Sequence, residues 1–207
     1  QAALVDLPPL KTFHDLEDAD RLVLSALLDG AAGFKAPDLL IQVVDATALE
    51  PNMAFAQELC QLGRPLVIAL NRLDEAREKG IYINVAALSE ALGVPVVPTV
   101  AHMGKGIASL FETALELLRA KRCPLSQSPG AHLRKALAPL NAILDQPDVE
   151  AAFRVPRSLL LTQIARGETW FAAEMARRFP ALVPAVEAAR DEAARQLPRP
   201  LAEEIFA

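Results

Sequence analysis

The stretch VVDATALEPN, Val43 to Asn52, carries an apolar run into an aspartate, then a small polar turn and a proline. A second apolar run ends in the same way at VIALNRLDEA, Val67 to Ala76, again ahead of sequence rich in helix-forming residues. Short apolar runs followed by helical patterns predict buried strands of a parallel sheet. Ligands of such sheets bind at the carboxyl ends of the strands, so these polar exits predict a binding site.

Predicted strands and helices alternate over the first 120 residues. The strands are predicted at residues 2–5 (AALV), 38–44, 65–70 and 94–98, and the helices at residues 15–29, 51–62, 85–92 and 106–122. Pro51 at a first helical turn and Gly63 just past a helix end support the second helix, and Asp15 is placed to cap the first. This order predicts right-handed βαβ units, and therefore an α/β fold.

The alternation stops near residue 125. No later run resembles a strand, and helices are predicted at residues 131–144, 156–165, 169–178 and 182–196. We therefore expect two domains: an α/β domain over residues 1–124 and a small all-helical domain over residues 125–207. The predicted fold class is a mostly parallel sheet flanked by helices, with its N-terminal part incomplete, followed by the helical domain.

Composition excludes several classes of function. A net charge of −5 without a long basic cluster argues against nucleic acid as a partner. No apolar run reaches the roughly 18 residues that a membrane-spanning helix needs. Cys60 and Cys123 lack the spacing of a metal site, which favours reduced thiols. The three histidines are dispersed and are interpreted as surface or loop residues: His14, His102 and His132.

The tetrapeptide NRLD follows the third predicted strand. The carboxylate of Asp74 can accept two hydrogen bonds from the adjacent N–H groups on the edge of guanine, which adenine does not offer. Asn71 can hold the neighbouring loop and reach the purine, while the stem of Arg72 lies over the face of the ring. A plainer interpretation is that Asp74 caps the following helix.

Three further polar loops follow predicted strands. DLPP begins at Asp6, VVDAT contains Asp45, and PTVAHMGKGI spans residues 98–107. Together with NRLD, they stand in the order of the Asp-x-x-Gly, guanine-specificity and Ser-Ala loops of small GTPases. Gly104 and Gly106 are predicted as turn and helix-start residues. GKG is not a phosphate-binding loop, because the motif G-x-x-x-x-G-K-[ST] is absent from the sequence.

The sequence resembles the cytosolic region of the bacterial ferrous-iron transporter FeoB. The resemblance runs through residues 1 to about 120 and is weaker over PRSLLLTQIARGE at residues 156–168, which is similar to that family's helical domain. The stretches that carry it are DLP (6–8), PDLLIQVVDATALE (37–50), ALNRLDEAREKGIYIN (69–84), LSEALGVPVVP (88–98) and GKGI (104–107).

The resemblance implies a GTPase-like fold and a GTP/GDP switch that binds its nucleotide with Mg²⁺. Asn71 and Asp74 would recognise the base, and the backbone N–H of Ala101, in the pair Val100-Ala101, would donate to the guanine carbonyl oxygen. Asp6 would face the magnesium ion through water. The helical domain would tune nucleotide release.

Three departures from the family pattern weaken the phosphate half of the site. The phosphate loop and the first switch are absent, and Pro9 replaces a glycine whose N–H contacts the terminal phosphate. Val100 replaces the serine of the Ser-Ala pair. Since phosphate contacts supply most of the affinity in such sites, we expect weak binding and no efficient GTP hydrolysis by this chain alone.

The start of the chain raises a folding question. Gln1 lies just before the predicted strand at residues 2–5. In a GTPase-like sheet, the strand before the phosphate loop lies between that strand and the one ending at Val44. Without it, two backbone edges would be unpaired. We therefore expect upstream sequence in the working molecule; the strands could otherwise re-pair or borrow a strand from another chain.

Other functions stay open. The family places such a chain at the cytoplasmic face of the bacterial inner membrane, with a membrane-embedded Fe(II) transport domain as its partner; a homo-oligomer is also left open. The first alternative is a degenerate, non-catalytic GTPase-like module that acts through protein–protein contacts, as Pro9 suggests. A second is a Rossmann-like domain with another ligand, because fold alone does not determine function.

Overall fold

The computed structural model describes residues 3–13, 16–30, 33–124, 130–153 and 155–204. The chain divides into two compact units, one of residues 1–13 and 23–126 and one of residues 14–22 and 127–207. The sequence analysis placed a single division between residues 124 and 125. Residues 14–22, which it assigned to the first domain, group instead with the second unit.

The first unit contains a three-stranded parallel sheet. Its strands are β1 (Leu40–Asp45), β2 (Leu66–Asn71) and β3 (Val96–Pro98), in the spatial order β1-β2-β3. The last residue of β1 stands opposite the last residue of β2, and Leu70 stands opposite Pro98 at the end of β3. All three strands therefore deliver their exit loops to one edge of the sheet.

Among the described residues, five helices precede, connect or follow these strands along the chain. They are α1 (Asp18–Asp29), α2 (Leu49–Cys60), α3 (Leu73–Glu78), α4 (Val85–Leu92) and α5 (Ile107–Ala120). A 3₁₀ turn at Ala101–Met103 lies between β3 and α5. Pro51 lies in the first turn of α2, as predicted, while the proposed cap Asp15 lies outside the described residues. The six-residue α3 was not predicted as a separate helix.

The core of the first unit forms where α5 packs on the sheet. Leu110, Ala114 and Leu117 recur at helical spacing on one face of α5 and are buried against side chains of β2 and β3. Leu66 to Leu70 of the central strand β2 are all buried, as expected for a strand covered on both faces. This rigid centre holds the end of β2 in place.

The second unit is helical in every described element. Its helices are α6 (Ala131–Leu144), α7 (Pro147–Phe153), α8 (Arg157–Arg166), α9 (Thr169–Arg178), α10 (Val183–Gln196) and α11 (Leu201–Glu204), with a 3₁₀ turn at Pro180–Leu182 before α10. Phe171 is fully buried and stacks on Phe153 at 6.2 Å between ring centroids. The short helices α7 and α11 were not predicted. The predicted fold class, a mostly parallel sheet with flanking helices followed by a helical part, is confirmed.

The predicted strand at residues 2–5 is wrong for the residues that the structure describes. Residues 3–5 belong to no strand, and Leu4 is 75% exposed. β1 is consequently an edge strand of the sheet. Pro8 and Pro9 follow closely and have no N–H to donate to a ladder, so a four-residue apolar run beside them does not by itself secure strand pairing. Among the described residues, no helix has both the length and the hydropathy to cross a bilayer.

Candidate functional site

Asn71 connects the exits of the two strands β2 and β3. It is the half-buried last residue of β2, and its Oδ1 accepts a hydrogen bond from the backbone N–H of Ala101 at 2.9 Å. The same oxygen accepts from the hydroxyl of the buried Thr99 at 3.3 Å. Its Nδ2 makes no hydrogen bond to any part of the chain that the structure describes, so the amide can still donate to a ligand.

The loop after β3 is held in a compact form by its own backbone. Val100 and Lys105 exchange two backbone hydrogen bonds, at 3.0 and 3.2 Å, and enclose the 3₁₀ turn that begins at Ala101. Gly104 ends that turn with a φ of 69°, and Gly106 begins α5 with a φ of 80°. The predicted turn and helix-start roles of these glycines are confirmed. Asn71 holds this loop, as the sequence analysis expected, by accepting from the Ala101 N–H. That the same N–H donates to a guanine carbonyl oxygen stays a prediction.

Asp74 carries an unusual carboxylate in the first turn of α3. Its Oδ1 is buried and has no hydrogen-bond partner within the described residues. Its Oδ2 lies 3.9 Å from Nε2 of His102, which belongs to the same loop as Ala101. The alternative that Asp74 caps α3 is wrong, because the N-cap is Arg72 and no side chain caps this helix. A buried acceptor without a partner costs about 1–3 kcal/mol, so the position favours a ligand that donates.

Arg72 directs its guanidinium at two carboxylates. Nη1 contacts Oδ2 of Asp45 at 2.5 Å, while Nε and Nη2 donate to the two oxygens of Glu75 at 2.8 and 2.5 Å. The backbone of Arg72 is left-handed, with a φ of 62°. These contacts occupy the N–H edges of the guanidinium. That the stem of Arg72 lies over the face of a base stays a prediction.

The charges around Arg72 shift one another's protonation. Burial raises the pKa of Asp45, but hydrogen bonds from Thr47 and Arg72 outweigh it and leave that pKa below its usual range. The Arg72 hydrogen bonds also lower the pKa of Glu75, and the two carboxylates raise the pKa of Arg72. All three groups are therefore charged at neutral pH. Oδ1 of Asp45 accepts from the N–H and hydroxyl of Thr47, both at 2.8 Å, so this side chain stabilises the turn after β1.

Asp6 forms no hydrogen bond or ion pair with these residues in the part of the chain that the structure describes. It is exposed and lies in a stretch without helix or strand. Among the described residues, no three histidine, cysteine or acidic side chains are grouped so that they could hold a metal ion. A single exposed carboxylate does not make a magnesium site, although Mg²⁺ commonly binds through one or two carboxylates, water and substrate phosphates.

A separate cleft of about 510 Å³ lies at the opposite edge of the sheet. It is lined by the first residue of β2, Leu66, by the segment Gly93–Pro95 just before β3, and by Arg122 beyond α5. None of the predicted site residues lines it. Five of the predicted site residues lie at the strand exits instead: Asn71, Arg72, Asp74, Val100 and Ala101.

The sequence analysis did not assign four residues that contact the predicted site residues. Thr99 contacts Asn71, and His102 lies near Asp74. Asp45 and Glu75 form ion pairs with Arg72. Only Glu75 had a local signal, since it stands three residues after Arg72 on a helix. The contacts of the others join segments 27 or 28 residues apart, and no short-range pattern predicts such pairs.

Comparison with protein families and curated proteins identifies relatives of this chain. The family model described as ferrous iron transport protein B matches residues 1–114. The Fe(2+) transporter FeoB of Salmonella typhimurium is 43% identical over 114 residues, covering 53% of this chain and 14% of that protein. A Fe(2+) transport protein A/Fe(2+) transporter FeoB fusion protein of Porphyromonas gingivalis is 31% identical over 135 residues, covering 64% of this chain and 16% of that protein. The match thus spans about a seventh of the relatives' length.

Solved structures share the fold. mGMPPNP-bound NFeoB from S. thermophilus aligns with a TM-score of 0.79 and 23% identity, covering 97% of this chain and 72% of that chain. The cytosolic domain of the T. maritima FeoB iron transporter in a GDP form aligns with a TM-score of 0.71 and 20% identity, covering 94% and 77%. At this identity the likeness establishes the GTPase-like architecture alone.

Proposed function

The chain belongs to the ferrous iron transport protein B family, and from this premise we propose that its α/β unit binds guanine nucleotide by the base. The unit would act as a GTP/GDP switch, joined to a helical unit that tunes nucleotide release. Its partner would be a membrane-embedded Fe(II) transport domain, which places the chain at the cytoplasmic face of the bacterial inner membrane.

One observation carries the proposal: the buried Oδ1 of Asp74 has no partner among the described residues. Guanine presents two adjacent donors, N1–H and the 2-amino group, and a carboxylate can accept both. Adenine has no such donor pair at this edge. A guanine base would therefore satisfy the orphaned oxygen, whereas adenine would leave it unpaired.

The neighbouring residues complete the proposed base site. Nδ2 of Asn71 would donate to the purine ring, and the stem of Arg72 would cover its face. The backbone N–H of Ala101, which donates to Asn71 at 2.9 Å, would also donate to the guanine carbonyl oxygen as a bifurcated hydrogen bond. Asp6 is proposed to face Mg²⁺ through water.

The sequence limits the strength of this binding. No phosphate-loop motif occurs in the 207 residues, and Pro9 has no N–H for a terminal phosphate. Contacts to the base set specificity more than affinity, at about 1–3 kcal/mol for each hydrogen-bonded group. We therefore expect weak but guanine-selective binding and no efficient hydrolysis by this chain.

Titration of the chain with fluorescently labelled GDP and ADP tests the proposal. We expect GDP to bind more tightly than ADP, and Asp74→Ala to lower GDP affinity by about tenfold or more, because the base loses both acceptors. Asp38→Ala is the control, since Asp38 makes only an exposed ion pair with Lys35. Equal affinity for the two nucleotides, or GDP binding that Asp74→Ala leaves unchanged, would overturn the proposal.

A second function is supported by Pro9, which has no N–H to offer a terminal phosphate. This residue would suit a GTPase-like module that does not bind the terminal phosphate and acts through protein–protein contacts. In the same titration, this alternative predicts no measurable binding of either nucleotide.

A further inference from the structure

Arg72 adopts a backbone conformation that its residue type disfavours. Its φ of 62° puts it in the left-handed region, where a Cβ lies too close to the following carbonyl oxygen. The residue lies between Asn71 at the end of β2 and Asp74 in α3. The backbone of Arg72 therefore sets the direction in which the chain leaves β2 and, with it, the position of the Asp74 carboxylate.

Side-chain contacts stabilise the turn from both sides. The guanidinium forms a two-pronged contact with Glu75, one turn into α3, and its third nitrogen contacts Asp45 at the exit of β1. Planar guanidinium forks hold a carboxylate in a defined geometry, unlike the point charge of lysine. Asp45, Arg72 and Glu75 are called here the Arg72 ion-pair cluster.

The cluster also ties two exit loops together. Asp45 holds the turn after β1 through the N–H and hydroxyl of Thr47, and it is the register partner of Asn71 in the sheet. The backbone N–H of Ala46 donates to the carbonyl of Asn71 at 2.9 Å. A backbone hydrogen bond and the ion pair between Asp45 and Arg72 thus join the loop after β1 to the NRLD loop.

We infer that the Arg72 ion-pair cluster positions Asp74 for the guanine edge, and that Asp45 and Glu75 act in base recognition without touching the base. The inference rests on the proposed function. Arg72 then contributes in two separable ways: its stem faces the ring, and its guanidinium holds the turn. The two contributions separate in Arg72→Met, which retains an apolar stem of similar reach and loses the charge.

The first measurement concerns the chain without nucleotide. Amide hydrogen exchange of residues 76–79, whose N–H groups donate to carbonyls of the preceding turn, is compared in the original protein, Arg72→Met and Asp45→Asn. We expect both variants to exchange faster by about 2- to 5-fold, the range for a partly exposed ion pair. Lys35→Met is the matched control, because it removes an exposed i,i+3 ion pair with Asp38 in the same unit. Unchanged exchange in both variants would overturn the inference.

The second measurement concerns specificity. Inosine diphosphate lacks the 2-amino group, so the ratio of GDP affinity to inosine diphosphate affinity reports how well Asp74 meets both donors. We expect Arg72→Met and Asp45→Asn to lower this ratio at least about threefold, as loss of alignment in one charge-assisted hydrogen bond implies. Lys35→Met should leave it unchanged. A merely structural role would lower the thermal midpoint and leave the ratio intact.

The outcomes separate the inference from the function beneath it. If the original protein binds GDP selectively and both variants retain its ratio, the positioning role is overturned while the proposed function stands. If the original protein binds neither diphosphate, the proposed function is overturned, and base positioning with it. A lowered ratio together with faster exchange at residues 76–79 supports the inference.

Discussion

The side chain of Asn71 connects the loops at the exits of β2 and β3. Its Oδ1 is the acceptor for the Ala101 N–H and for the hydroxyl of buried Thr99, both on the loop that follows β3. This one oxygen therefore joins two loops that are 30 residues apart in the chain. A base ligand would meet a site that the protein has already assembled.

Replacement of Asn71 by alanine should loosen the loop after β3. We expect a loss of about 1–2 kcal/mol in the free energy of unfolding, because the Thr99 hydroxyl is left buried without its partner. The amide of Ala101 should exchange faster with solvent. Urea denaturation and hydrogen exchange measure the two effects.

Asn52→Ala is the matched control for Asn71→Ala. The Asn52 side chain donates only to the carbonyl of Ala48 on an exposed helical turn. We expect its stability change to stay within about 0.5 kcal/mol, as for most surface substitutions. If the two variants are equally stable, Asn71 does not hold the loop.

Among the secondary-structure elements, the connection from β3 to α5 depends on two glycines that differ in their surroundings. Both have positive φ, but a Cβ added at Gly106 would lie 2.2 Å from the carbonyl oxygen of Pro98, while one added at Gly104 would meet nothing within 4 Å. Only Gly106 thus permits the close approach of the helix start to the end of β3. Alanine variants at Gly104 and Gly106 therefore distinguish the energetic cost of a left-handed backbone from that of a steric clash.

Gly106→Ala should destabilise the protein more than Gly104→Ala. We expect about 1–2 kcal/mol for Gly104→Ala, from the left-handed backbone alone. Gly106→Ala carries the same cost plus displacement of backbone, which puts it above about 3 kcal/mol. Thermal or urea denaturation of the two variants provides the test, and equal stabilities would contradict the assigned contact.

For the whole molecule, charge pairing links stability to pH in both units. Hydrogen bonds from Arg72 lower the pKa of Glu75 in the first unit, and hydrogen bonds from Arg177 lower that of Glu174 in the second. For Asp45, burial raises the pKa, and the Thr47 and Arg72 hydrogen bonds more than offset it. A carboxylate whose pKa is lower in the folded state stabilises that state at pH values above its unfolded pKa.

The urea midpoint should therefore fall as the pH is lowered from 6 to 3. The stabilisation is fully present above the pKa values of these carboxyls in the unfolded state, which are about 4. It is lost as the pH falls through their lower pKa values in the folded state. Far-UV circular dichroism in urea at each pH measures it. Arg72→Met removes the partner of Asp45 and Glu75, so its midpoint should fall less steeply; an identical slope would argue against this linkage.

Much of the architecture was predictable from local sequence. The helices at Val85–Leu92, Ala131–Leu144 and Thr169–Arg178 have the predicted bounds, because each combines apolar periodicity with clear end signals. The site was predictable in part. NRLD was recognised by its chemistry after a strand, but the unpaired state of the Asp74 oxygen was not, since it depends on what surrounds the helix start.

Local pattern thus predicted β1, β2 and β3, each described helix of eight or more residues, and the polar residues at the strand exits. Tertiary structure alone decided which exits became neighbours. The pairing of Arg72 with Asp45 and of Asn71 with Ala101 follows from the order β1-β2-β3, and the apolar run at residues 3–5 found no place in that sheet. The physical reason is one of range: backbone propensity and periodicity act over a few residues, whereas hydrogen bonds and ion pairs form between whatever segments the packed core brings together.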